Sequence, residues 1–250
     1  MDQTGQTDPP PGPTPQPRPD IETHLIKDVK SLKRRVCEEA TIAVAMLEAA
    51  LAALWELDTA AAREVADRDD RIDREEVAIE EAAFRIMTLQ QPVAREFRAL
   101  AFILKVNSDI ERVGDHASTI AKTAIKLAQA APPGFNWPTS LLELGQRVPM
   151  ACHALLRALI DENADAAKSI VVGDKAIDRL TRELFDETVK FMETFPKAHA
   201  AGLLIYRIGR ELERVGDLMT NIAEDIVYLT TGEIIRHEKK RIRAELNSRE

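Results

Sequence analysis

The segment DIERVGDHASTIAKT, beginning at Asp109, is written a second time as ELERVGDLMTNIAED, beginning at Glu211. The copies belong to a longer repeat. Asp58 and Asn163, Asp69 and Asp174, Ile72 and Ile177, and Asp73 and Asp178 are each 105 residues apart. Glu111 and Glu213, like Asp115 and Asp217, are 102 apart, so the connection around Pro92 is three residues longer than its counterpart at Pro196. A chain repeated at this period must fold as two like units, each built from the same succession of elements.

Those elements are helices. Leu25, Val29, Leu32 and Val36 recur at intervals of four, three and four, and the stripe continues through Ala40, Ala43, Leu47, Ala50 and Leu54. Leu57-Asp58-Thr59 interrupts it, and Asp58 is placed to cap a second helix running to about Leu89. Gln90–Pro92 turns the chain into a third helix, which reaches about Ala131. The segment APPGFNWPTS, Ala131 to Ser140, holds three prolines and a glycine and marks the boundary between halves. Ser140 and Glu143 have the spacing of a capping box. Leu141, Leu144, Val148, Cys152, Leu155 and Leu159 give the fourth helix its apolar face, with Pro149 expected to kink or delay it. Asn163 opens a fifth helix ending at Phe195-Pro196, and a sixth runs from about Lys197 to Leu229, with Thr231-Gly232 as its stop.

The expected fold is therefore all-α, two tandem three-helix bundles related by internal duplication, over residues 21–131 and 140–232 with a linker at 132–139. Aromatic residues make up only 4% of the chain, which suits helix packing better than sheets. Residues 1–20 hold seven of the thirteen prolines and read as a disordered, Pro-rich tail. Residues 233–250 read as a basic C-terminal helix or tail.

Several function classes are disfavoured. A net charge of −8 argues against nucleic acid as the partner, because phosphate binding needs clustered Lys and Arg. The first twenty residues lack the basic and apolar regions of a signal peptide. The longest apolar stretch, ATIAVAMLEAALAALW, is cut by Glu48 and too short to span a bilayer. A cytoplasmic protein is expected, not integral to the membrane. Cys37 and Cys152 sit among apolar residues and read as buried free thiols. No Gly-rich phosphate loop, GxSxG elbow or nucleophile–base pair is present, so the chain is not expected to be an enzyme.

What remains is the doubled acidic motif. Asp69/Asp73, Glu111/Asp115, Asp174/Asp178 and Glu213/Asp217 are each four residues apart, one turn along a helix face. Two readings stand. The acids could be solvated faces offset by Arg71, Arg74, Arg112 and Arg214. Alternatively, neighbouring helices bring two pairs together into an all-oxygen site for Mg²⁺, Mn²⁺ or iron. Recurrence at matched places in both halves favours the second. Gly114 and Gly216, each mid-helix between two acids, imply a need for clearance, for a close helix crossing or for an ion. A ferritin-like oxidase builds its site from Glu-x-x-His, a spacing none of the five histidines has. His116 has Leu218 as its repeat counterpart and reads as a neighbour of the site rather than a ligand.

Together DRIDREE, LQQPVAREFRAL and VNSDIERVGDHASTIAK, with GDKAIDRLTREL and ELERVGDLMTNIAED in the second half, resemble the PhoU family over about Ile21 to Gly232. The resemblance implies two three-helix bundles and metal clusters on the bundle surface. Its ligands would be Asp69, Asp73, Glu111 and Asp115 for one site, and Asp174, Asp178, Glu213 and Asp217 for the other. Iron, zinc, manganese or magnesium would be the metal. Asn221 matches a further position of the family motif where the first half has Thr119, and Glu224 faces Lys122 in the same way. The second site is thus expected to bind more tightly. The resemblance further implies a negative regulator of phosphate uptake and phosphate signalling, contacting the ATPase subunit of the phosphate ABC transporter and the phosphate sensor histidine kinase. An accessory of another anion transporter, or a carboxylate-bridged metal storage or redox protein, would share these features. A homodimer is compatible with the composition.

Overall fold

The computed structural model describes residues 19–173 and 175–235, with side chains from His24 onward. Most of the Pro-rich tail, most of the basic C-terminal segment and the expected ligand Asp174 lie outside the described residues. The described chain forms α1 (Pro19–Trp55), α2 (Thr59–Ala66), α3 (Asp69–Gln90), α4 (Ala94–Ala130), α5 (Thr139–Ile160), α6 (Ala164–Gly173), α7 (Lys175–Thr194) and α8 (His199–Thr231). None of these helices is long and apolar enough to cross a membrane.

The expected middle helix of the first half is broken in two, and in the second half the described residues form α6 and α7 on either side of Asp174. In the first half the break falls at Asp67-Arg68, where Arg68 N–H donates to Val65 C=O at 3.1 Å and tightens the last turn of α2. The apolar period runs through this point, so the sequence pattern does not mark it. At the other joints the local chemistry acts as expected. Leu57, in the left-handed region at φ 51°, turns the chain out of α1, and Asp58 Oδ1 accepts from the N–H groups of Ala60 and Ala61 at 2.9 and 3.0 Å. Asn163 Oδ1 accepts from Ala166 N–H at 3.0 Å. Gly232, at φ 76°, closes α8 with its N–H on Tyr228 C=O.

One expectation fails at α5. Ser140 is not a helix cap: it is buried inside α5, and its N–H and hydroxyl both donate to Glu187 of α7, at 3.1 and 2.7 Å. Long-range pairing has displaced the local capping box. Pro149 does not delay the helix, which runs through it. Leu141, Leu144, Val148 and Cys152, all fully buried, hold α5 against the core and offset the lost hydrogen bond.

The apolar stripe of α1 is buried from Leu25 to Leu54, chiefly against α4, and α8 plays the part of α4 in the second half. The halves meet along α4 and α8, which run antiparallel: Lys105 pairs with Asp225, and His116 Nδ1 lies 2.7 Å from Glu211 Oε2. Beside them α1 lies on α5, with Glu48 2.8 Å from His153 and an ion pair between Lys33 and Glu162. One continuous core crosses this seam. The linker contributes too: Trp137 packs edge-on against Trp55 of α1 with centroids 5.2 Å apart, and Phe135 against Trp137 and Phe191 of α7.

Candidate functional site: two acidic patches

Gly114 explains how α3 and α4 come close enough to share a charged face. A Cβ at Gly114 would stand 2.8 Å from Ile72 Cδ1, and one at Gly216 would stand 2.9 Å from Ile177 Cδ1. Each glycine therefore receives an isoleucine from the neighbouring helix of its own half. Close helix crossing, one of the two explanations open from the sequence, is what the geometry shows.

That crossing sets Asp69 and Asp73 of α3 beside Glu111 and Asp115 of α4. Burial first, then Asp115, Glu76, Asp73 and Asp69, push Glu111 up to about 7. Burial followed by Asp69 and Asp73 raises Asp115, against His116 and Lys122. Glu111 and Asp115 of α4 thus both feel Asp69 and Asp73 across the crossing. Lys122 Nζ lies 3.4 Å from Asp69 Oδ2, partly neutralising this edge.

The patch is larger than the repeat motif indicates. Glu76 of α3 is raised by burial and by Glu80, Asp73 and Asp115. Beneath it lies Glu39 of α1, only 1% exposed, with neither carboxyl oxygen hydrogen-bonded. Burial, then Glu75, Glu76 and Glu111, push it up to about 8, with Arg35 opposing. Arg35 itself is engaged by Glu75, its Nε donating at 2.8 Å. The sequence did carry a signal for Glu39: a carboxylate on the buried stripe, between Val36 and Ala43.

In the second half, Asp178 of α7 and Glu213 and Asp217 of α8 come together. Burial raises Glu213 most; the ion pair with Arg210 opposes this, and Asp217 and Asp178 add to it. Asn221 is exposed, one turn beyond Asp217. Glu224 lines a cavity of about 190 Å³ at the α4–α8 seam, with Phe102, Lys105, Asp225 and Tyr228. His116 is held by Glu211 across the seam. Although burial opposes it, the hydrogen bond and charge of His116, with Arg214 and Arg207, keep the Glu211 carboxyl below its usual value.

The donor chemistry of both patches, carboxylate oxygens crowded against one another, suits a hard divalent cation. Among the described residues, however, no three His, Cys, Asp or Glu side chains converge closely enough to hold an ion as placed.

The model of the PhoU domain matches the chain twice, over residues 36–124 and 141–226. A phosphate-specific transport system accessory protein PhoU homolog from Deinococcus radiodurans is 37% identical over 169 residues, 68% of this chain and 78% of that protein. Among solved structures, the phosphate transport system regulatory protein PhoU from Streptococcus pneumoniae superposes with a TM-score of 0.75 at 27% identity, covering 86% of this chain and 98% of that one. PhoU from Pseudomonas aeruginosa gives 0.71 at 30% identity, covering 86% and 99%. With the family domain matched in both halves, and the doubled acidic motif set on the same helices of each, the chain belongs to the PhoU family.

Proposed function

We propose that this chain is an accessory regulator of a phosphate-specific transport system, restraining uptake and helping to report phosphate sufficiency. The observation that carries the reading is the match of the family domain to both halves of the chain. The names of its relatives supply the phosphate transport system. In this reading the protein works at the cytoplasmic face of the membrane, docking on the ATPase subunit of the transporter and on the phosphate sensor histidine kinase.

The acidic patches are the surfaces proposed for that work. Asp69, Asp73, Glu111 and Asp115 would hold a divalent or transition metal ion on one bundle, and Asp178, Glu213 and Asp217, with Asp174, on the other. A bound cation would lower the negative charge of its face, and with it the attraction to a basic partner surface. The chain's own part is rigid positioning: Ile72 in the notch of Gly114, and Ile177 in that of Gly216, fix the spacing of the acid-bearing helices. A metal storage or redox role has less support, because His116, the histidine nearest a patch, is engaged by Glu211.

The test is genetic. Deleting the gene should switch on a reporter of phosphate starvation in cells grown with ample phosphate, and the intact gene should silence it again. A reporter that stays silent in the deletion strain contradicts the proposal.

A further inference from the structure

The two patches are built from the same motif but differ underneath. Glu39 of α1 corresponds, at the repeat spacing of 105 residues, to Leu144 of α5, which is fully buried in the second half. An apolar side chain therefore fills this position well in one copy of the bundle. In the other copy stands a carboxyl, 1% exposed, whose two oxygens accept no hydrogen bond. Buried polar groups are nearly always satisfied, so an orphan of this kind calls for an explanation. Charges face it from two other helices, Glu75 and Glu76 on α3 and Glu111 on α4, with Arg35 on its own helix drawn off to Glu75. Glu76 and Glu111 are half-buried and Glu39 lies deeper than either.

We infer that Glu39 is an inner ligating carboxylate of the first acidic patch, completing with Glu76 and Glu111 a three-helix site for a hard divalent cation that the second patch lacks. The inference rests on the reading of the patches as cation sites, and it reverses the expectation that the second patch binds more tightly. As placed, the three side chains do not converge on a point. Carboxylates that bind a cation give up their protons to it, and the cation supplies the attraction that draws them together. Oxygen-only coordination from carboxylates on three elements is what Mg²⁺ or Mn²⁺ accepts.

The test is Mn²⁺ titration of the full chain, followed by calorimetry and by the electron paramagnetic resonance signal of free Mn²⁺. The background is E213Q/D217N, which disables the second patch, and into it go E39Q, nearly isosteric, and E39L, which copies Leu144. Far-UV circular dichroism checks that each variant folds. The background chain should bind Mn²⁺, and both Glu39 variants should weaken that binding at least 10-fold. Binding unchanged by E39Q and E39L would overturn the inference and leave the outer patch standing as a cation site. Binding by the unmodified chain but none by the background would also overturn it, placing the ion in the second patch alone. An unmodified chain that binds no Mn²⁺ would remove both the inference and the cation reading on which it rests.

Discussion

Replacing Glu39 by leucine should make the protein more stable, by an amount that grows with pH. In the folded chain the Glu39 carboxyl is pushed up to about 8 from its ordinary value of 4.5, mainly by burial and then by Glu75, Glu76 and Glu111. The folded state therefore keeps a proton that the unfolded chain releases between those values. Stability is full below pH 4.5 and falls as pH rises toward 8. At about 1.4 kcal/mol per pKa unit, the loss from this one group is roughly 2–3 kcal/mol between pH 5 and pH 7. E39L removes that loss, together with an unsatisfied buried acid that costs about 1–3 kcal/mol even when protonated. For a chain of this size each kcal/mol moves Tm by about 2–4 °C, so at pH 7 the variant should melt roughly 6–24 °C above the parent. Urea unfolding by far-UV circular dichroism at pH 5, 6, 7 and 8, with a chelator present, measures the difference between the two chains. The other raised acids are present in both chains, so the difference reports Glu39 together with its coupling to them. Parallel pH profiles for E39L and the parent would refute the argument.

Gly114 tests the helix crossing. Valine there must displace Ile72 and should cost about 2–3 kcal/mol, whereas Gly114→Ala, gaining about 1 kcal/mol of helix propensity, should stay within about 1 kcal/mol of the parent; thermal melts of both distinguish packing from propensity. His116→Ala leaves the carboxyl of Glu211 buried without its 2.7 Å partner across the α4–α8 seam and should cost about 1–3 kcal/mol at pH 7. Glu211 is held below its usual value, so its contribution to stability is present above the ordinary value of 4.5 and lost as pH falls through the folded value. The penalty of His116→Ala should accordingly shrink in acid, and denaturant curves at pH 7 and pH 3.5 check it.

The residues themselves explain what could and could not be read in advance. The stripe from Leu25 to Leu54, the caps Asp58 and Asn163 and the stop at Gly232 are local signals, and each acts as its chemistry requires. The break at Asp67-Arg68 escaped because the apolar period continues across it. Ser140 misled because Glu187, far away in sequence, outcompeted the capping box formed with Glu143. At the site, the four-residue spacing placed Asp69 with Asp73 and Glu111 with Asp115, and the repeat located the second set. Glu39 comes from a third helix, where only its position on a buried stripe set it apart. The two glycines could be flagged as clearances by their helical context, but only the facing Ile72 and Ile177 show what they clear.

The duplicated motif, on the reading proposed above, presents cation-binding faces. Elemental analysis of the purified full chain, beside one carrying Asn or Gln at Asp69, Asp73, Glu111, Asp115, Asp174, Asp178, Glu213 and Asp217, tests it most directly. Bound divalent or transition metal is expected in the parent, and its loss in the variant, both folded by circular dichroism. A parent with no bound metal, even after incubation with Mg²⁺, Mn²⁺, Fe²⁺ and Zn²⁺, or a variant that retains it in full, would contradict the claim.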